Sequence, residues 1–393
     1  MISTRPVLLD VTRLVALGWT GRKVTGIERV CDAYLQHYRS RAQAVVQYRG
    51  IVRVLSDKHS DDLFALLANR TDGFRAQMAR LAPTIFLSRS ERDGYDSKFY
   101  INVGHTDFDL QSHWRWIESA RLRSIYLLHD VIPIQHPELT HSHAVKRHLG
   151  RMTLALSKAA GIIANSQSTV DDIRQFAAFS DARMPPILAA HLGVDHLSTI
   201  DQQPAQRGRH FVSLGTIEPR KNHALLLRVW ERLIADTGSD PPVLTLIGRW
   251  GRQSDVVREM LRSNPRLARH VNVLTNCSDA EASRWIRSAS AVLLPSKAEG
   301  YGLPLAEAMA LGTPVIASDL ACFREIGDNI PLLIKAGDDA AWATAITDFL
   351  RPGGEADRQR ARFSSHRPHS WNQHFQLVDD WMVQNFPMIN HRP

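Results

Sequence analysis

Two carboxylates and two adjacent cations stand out in this 393-residue chain because each sits where an apolar run gives way to a helical pattern. In the segment 294–319, LPSKAEGYGLPLAEAMALGTPVIASD, a strand-like run ends at Leu294. A loop follows, with Glu299, Gly300, Tyr301 and Gly302. Glycines in such a loop let backbone approach a ligand closely. Pro304 suits the opening of a helix, which closes at Gly312 before Pro314 starts the next strand. The N–H groups at that helix start make an anion site. Glu299 and Glu307 flank it, and a carboxylate there can accept hydrogen bonds from hydroxyl groups. The bare spacing of two glutamates carries little. The glycines, the proline and the small-residue helix give it weight.

The second constellation is GTIEPRKNHALLL, residues 215–227. Arg220 and Lys221 lie between a strand end and an apolar-periodic helix, at the carboxyl edge where α/β sheets bind ligands. Two cations there can neutralise a leaving diphosphate without a metal. A third place is YLLHDVIPIQHPE, where His129 and Asp130 follow the run Ser124–His129. With 18 histidines in the chain, any one is more often structural than chemical, and the strand-end position followed by Asp singles out His129. His105, in VGHTD, shares the strand-end position and lacks the motif.

Twelve short apolar runs position these residues, from Val7–Val11 and Ala44–Val52 to Pro314–Ala317 and Leu332–Ile334. Amphipathic stretches such as His223–Ile234 and Leu305–Leu311 separate them. That alternation predicts an α/β protein with parallel sheets. The polar stretch Ser198–Arg209 reads as a linker, dividing domains at 1–200 and 209–365. Residues 352–369 read as a polar, Pro/Gly-rich connection. An aromatic helix over 370–388 follows and is expected to pack back on the first domain. Residues 58–98 give no clear pattern.

The chain is 44% apolar and 22% charged, and no window approaches the ~20 apolar residues of a membrane-spanning helix. Asp10 interrupts the only apolar run near the start, so that run reads as a strand and not as a secretory leader. A cytoplasmic location is expected. Cys31, Cys277 and Cys322 match neither a disulfide framework nor a zinc site. Residues 1–200 hold 25 Lys+Arg against 19 Asp+Glu, so +6 of the formal +8 charge lies there. No nucleic-acid motif accompanies it. An anionic membrane surface or a phosphorylated substrate is the expected partner.

The two segments, in this order and about 80 residues apart, resemble the donor-binding half of the family-4 retaining glycosyltransferases, with the pattern dense over Val212–Asp338. The resemblance implies the GT-B fold, two doubly wound Rossmann-like α/β domains facing a cleft. By it, Arg220 and Lys221 hold the donor diphosphate, Glu307 the ribose, and Glu299 the hexose hydroxyls. Backbone at Gly300, Tyr301, Gly302 and Leu303 adds to these contacts. In the first half, LLDVTRL with TGIERV resembles the loop after strand one, and Gly26 is expected on that loop near the donor phosphates. The segment with His129 and Asp130 resembles the HD-x-x-P segment of bacterial polysaccharide-assembly mannosyltransferases, which puts both beside the transferred sugar. IIANSQST and HLGVDH resemble cleft-lining turns of the family.

The implied reaction moves a hexose from a nucleotide-diphosphate sugar to a lipid-linked or glycan acceptor. It proceeds by a front-side, oxocarbenium-like route with no cofactor and no metal. GDP-mannose or a related GDP-deoxyhexose is the favoured donor, with UDP-glucose and a dTDP-sugar as alternatives. The rival readings are a nucleotide-sugar 2-epimerase of the same fold and a non-catalytic sugar-nucleotide or glycan-binding protein.

Overall fold

The structure, a computed structural model, describes residues 3–22, 24–70, 73–87, 95–180, 184–194, 208–237 and 241–387. It divides into two units, Met1–Leu192 together with Trp371–Pro393, and Gly193–Ser370. The stretch read as a linker falls mostly on residues 195–207, which lie outside the described residues.

The first unit carries a seven-stranded sheet of β1 (Val7–Asp10), β2 (Ala42–Tyr48), β3 (Ile51–Val54), β4 (Phe99–Asn102), β5 (Arg123–Leu128), β6 (Gly161–Ala164) and β7 (Ile187–Ala189). The order is β3-β2-β1-β4-β5-β6-β7, parallel throughout except for β3 against β2. Strands β1, β5 and β6 are almost wholly buried, as the continuous apolar runs require of strands covered on both faces. The run 44–52, read as one strand, is instead the heart of a hairpin. It turns at Arg49 (φ 50°) and Gly50 (φ 80°), with Val45 paired to Val54. Positive φ at both turn residues is the geometry that suits two-residue hairpins. Asp107 accepts from the Gly50 N–H at 2.9 Å and fixes the corner.

The helix Trp371–Asn385 belongs to this unit. His374 lies between the Tyr34 hydroxyl and the His191 carbonyl, both at 3.0 Å, and Phe375 stacks on His37 at 3.9 Å. Asp379 accepts from the Tyr38 hydroxyl at 2.8 Å and pairs with Arg41 and His37. Gly161 permits the contact, because a Cβ there would meet Trp381 at 2.5 Å.

The second unit has a wholly parallel sheet of β8 (His210–Leu214), β9 (Val243–Ile247), β10 (Val271–Leu274), β11 (Ala291–Leu294), β12 (Val315–Ser318) and β13 (Leu332–Ile334). Its order is β10-β9-β8-β11-β12-β13. The helix His223–Thr237 buries Leu226, Leu227 and Trp230 in a core with Phe211, Leu293, Ile316 and Trp342. Buried indole N–H groups find carbonyls, Trp230 at Pro242 and Trp342 at Lys335. The stretch 352–369 contains a helix, Glu355–Arg362, that polarity concealed. Its anchors are Ala356 and the fully buried Gln359, whose amide accepts from Val315 N–H and donates to Val315 carbonyl. Pairs such as Arg358–Glu355 and Arg360–Asp357 lace its outer face.

Candidate functional site

In the second unit the strand order reverses between β8 and β11, so the loops leaving these strands diverge and open a crevice at their carboxyl ends. Both predicted segments leave the sheet there. After β8, a short 3₁₀ turn carries Pro219–Lys221 and ends at Asn222 in a left-handed conformation. The Asn222 amide donates to the carbonyls of Pro295 and Ala336 at 3.1 and 3.0 Å, which pins the turn to the segments following β11 and β13. The Lys297 N–H donates to the Arg220 carbonyl at 2.8 Å. Gly248 is required because a Cβ would lie 1.9 Å from the Gly215 carbonyl oxygen.

The structure brings Glu299, Arg220 and Lys221 together. Lys221 Nζ is 2.5 Å from Glu299 Oε1, Arg220 Nη1 is 2.8 Å from Oε2, and the Ser296 hydroxyl donates to Oε1 at 2.7 Å. Arg220 also reaches the Ala298 carbonyl and Glu218. Burial pushes the Glu299 carboxyl up, but Lys221 and Arg220, with hydrogen bonds from Lys221 and Ser296, outweigh it and hold the group down at about 2. The resemblance gave the cations to a diphosphate and Glu299 to sugar hydroxyls. In the structure they are paired with each other.

Beside this cluster Gly302 opens the helix Leu303–Ala310 with φ 102°, and a Cβ there would meet Phe323 at 2.4 Å. The helix begins one residue before Pro304. Gly300 and Tyr301 lie in the loop, Tyr301 buried, and Leu303 is the first helical residue. Glu307 is the fifth residue of the helix and is buried.

In the first unit the order reverses between β1 and β4. Gly26 is not on a loop directly after β1. A helix, Thr12–Thr20, follows that strand, and Gly26 is the first residue of the next helix, Gly26–Tyr38. Thr25 and Glu28 form its capping box, with the Thr25 N–H donating to Glu28 at 2.9 Å. Glu28 also accepts from Arg13 Nε at 2.7 Å, and Arg13 Nη1 donates to the Gly104 carbonyl at 3.3 Å.

His129 and His105 form a reciprocal clasp at the ends of β5 and β4. His129 Nε2 donates to the Val103 carbonyl at 2.8 Å, and His105 Nε2 donates to the Leu127 carbonyl at 3.0 Å. Their ring centroids are 4.9 Å apart, and His105 takes a left-handed φ of 58° to reach its partner. His148 makes the same kind of bond to the Asp130 carbonyl at 3.0 Å. Burial lowers the pKa of all three imidazoles. They are therefore neutral near pH 7, each with Nε2 as donor and Nδ1 as acceptor. Asp130 accepts from the Ile132 N–H at 3.1 Å, closing the turn before Pro133. Asn165, from the IIANSQST turn, donates to the His129 carbonyl at 2.9 Å.

Sequence reasoning singled out His129 and passed over Arg13, Glu28 and His148. The T-x-x-E spacing of Thr25 and Glu28 was readable as a capping box. Nothing local marks Arg13 or His148, whose partners are distant in the chain.

Residues 208–351 match the family described as Glycosyl transferases group 1. Among relatives, the serotype-specific mannosyltransferase WbdA of Escherichia coli is 27% identical over 60% of this chain. The phosphatidyl-myo-inositol mannosyltransferase of Mycobacterium leprae (strain TN) is 35% identical over 41% of this chain and 42% of its own length. The chain spans about 30% of the length of the WbdA relatives it matches first. Among solved structures, Anabaena Alr3699/HepE in complex with UDP and glucose is 19% identical, with a TM-score of 0.64 over 95% of this chain and 98% of that one. Sucrose-phosphate synthase from Thermosynechococcus elongatus gives 0.64 over 97% and 99% at 15% identity. Two doubly wound α/β units, the group 1 match and these neighbours converge: the chain has the GT-B fold, and its second unit is similar to the Glycosyl transferases group 1 family over residues 208–351.

Proposed function

We propose that the chain is a retaining hexosyltransferase. It moves a mannose-type sugar from a nucleotide-diphosphate donor to a lipid-linked or glycan acceptor in the assembly of a cell-surface polysaccharide. The observation that carries this reading is the convergence of Arg220 and Lys221 at the switch point of the second sheet, beside the helix opened by Gly302. On donor binding the cations exchange the Glu299 carboxylate for the diphosphate, and Glu299 turns to the hexose hydroxyls. As the glycosidic bond breaks, charge builds on the leaving diphosphate, and two preorganised cations with a helix N-terminus stabilise it. Glu307 takes the ribose hydroxyls. His129, neutral with Nδ1 as acceptor, takes a sugar hydroxyl, and Asp130 holds the turn that carries it. The mannosyltransferase names of the relatives favour a mannose-type sugar.

The basic first 200 residues suit attachment to the inner face of a cytoplasmic membrane, and no helix among the described residues is long and apolar enough to cross one.

A thermal-shift panel of GDP-mannose, UDP-glucose, dTDP-glucose and the free diphosphates tests the donor reading. A ligand at 100 times its Kd stabilises by about 2.7 kcal/mol. The GDP compounds should give the largest shift, and Arg220→Gln should remove it. No shift with any nucleotide, or a shift indifferent to Arg220→Gln, overturns the reading.

A further inference from the structure

The first unit holds two guanidiniums that its own carboxylates leave incompletely paired, one at Gly104 and one over Phe108, on either side of His105 in the chain. Arg13 follows β1 and Gly104 follows β4, so the two straddle the switch point of this sheet. A Cβ on Gly104 would lie 2.9 Å from the Arg13 Cβ, which shows how closely the arginine is laid across that crevice. Its pairing is single, Nε to Glu28 Oε1, while Glu28 Oε2 is occupied by Thr25. Nη1 reaches only the Gly104 carbonyl, and Nη2 has no partner among the described residues. Nη2 is thus uncommitted, and the side chain is 33% exposed.

Arg151 is the second. Asp109 is taken bidentately by Arg147, at 2.8 and 3.0 Å. Arg151 Nε is left 3.4 Å from Asp109 Oδ1, buried and without a hydrogen bond, over the ring of Phe108. An underpaired guanidinium in such surroundings costs stability unless an anion completes it. Arg13 bonds to the carbonyl of Gly104, the neighbour of His105, and Arg151 lies over Phe108, whose ring meets His105 edge to face at 5.5 Å. The three imidazoles spend their N–H on carbonyls and leave Nδ1 to accept.

We propose that Arg13 and Arg151, with the Nδ1 atoms of His105 and His148, form a subsite on the first unit for a phosphorylated sugar. The guanidinium forks hold the phosphate and the imidazoles accept from sugar hydroxyls. The phosphate subsite stands on the geometry of this unit alone. Its assignment to the acceptor, as a sugar carried on a phosphate or diphosphate, rests on the transferase reading. The same phosphate chemistry could come from the donor's diphosphate.

Titration calorimetry of the full chain with inorganic pyrophosphate, GDP and UDP separates these cases. Two pyrophosphates should bind, one lost in Arg220→Gln and the other weakened at least tenfold in Arg13→Gln and in Arg151→Gln. Arg13→Lys, which keeps charge near Glu28 but not the fork, should weaken it less and covers the case in which Arg13→Gln does not fold. Nucleoside diphosphate affinity unchanged in Arg13→Gln identifies the acceptor as the source. A tenfold loss identifies the donor and supports the phosphate subsite itself. A single pyrophosphate per chain, abolished by Arg220→Gln and unmoved by the Arg13 and Arg151 variants, overturns the proposal. Two-site binding in a chain that transfers no sugar sinks the transferase reading and leaves the subsite standing.

Discussion

Replacing Glu299 by Gln separates the two jobs that its carboxylate performs, because the substitution keeps the shape and removes the charge. The carboxylate is the counter-ion of Lys221 and Arg220, whose side chains are 10% and 24% exposed. Its pKa of about 2 lies below the ordinary ~4.3 of a glutamate, a difference worth about 3 kcal/mol of pairing at neutral pH. A folded-state pKa below the unfolded one gives stability that is present above about pH 4.3 and is lost as pH falls towards 2. Glu299→Gln should therefore lower stability by about 3 kcal/mol at pH 7, less whatever Glu218 and the Ala298 carbonyl return to Arg220. The deficit should shrink steadily below pH 4.3. Urea unfolding of wild type and variant at pH 7, 4 and 3 measures it. The same variant releases both cations, so GDP or pyrophosphate should bind about tenfold more tightly while sugar transfer falls. Added nucleotide should then restore most of the lost stability. A variant as stable as wild type at pH 7, or one that binds diphosphates more weakly, refutes the counter-ion argument.

Glu307→Gln should raise the donor KM several-fold with a modest change in kcat, since ribose contacts are alike in ground and transition states; steady-state kinetics against donor concentration reads the split. His129→Ala should abolish transfer and also cost about 2 kcal/mol, because it leaves the Val103 carbonyl without its donor in a buried place; thermal unfolding with full stability retained would contradict the clasp. Gly161→Ala should destabilise by about 1–3 kcal/mol through collision with Trp381 and expose the Trp371–Asn385 helix to protease; limited proteolysis with mass mapping shows where the chain is cut. Membrane-associated protein should be released by high salt, because screened surface attraction is the proposed attachment; retention through salt and alkaline washing counts against it.

The parts of the molecule that could be read from sequence are those whose causes are local. Leu294 to Gly312 spells out strand, glycine loop, proline-opened helix and left-handed stop in one contiguous stretch, and the fold follows it closely. The His129 turn was legible for the same reason. What escaped detection depends on partners far apart in the chain. Glu299 meets Arg220 across 79 residues, and His105 and His129 exchange bonds between neighbouring strands. No spacing rule reports either. The 44–52 run misled because a single Arg-Gly pair reverses it. The helix Glu355–Arg362 was invisible to hydrophobic periodicity, since its packing rests on one alanine and one buried glutamine. Gly26 was misplaced because the helix Thr12–Thr20 was not foreseen between β1 and it.

The first unit is assembled from two stretches of chain with the whole of the second unit between them. Synthesis therefore imposes an order. A ribosome delivers residues up to Leu192 and then all of Gly193–Ser370 before Trp371–Asn385 emerges to fill its place beside Tyr34, Tyr38 and Gly161. The second unit can complete its core while the first still lacks a wall. Until then Tyr34, Tyr38 and the face of His37 lie open, a hydrophobic surface of the kind chaperones hold. A nonsense mutation in the codons just before Trp371 would leave the group 1 domain whole and the first unit unfinished, so damage late in the message would strike the half that is made first.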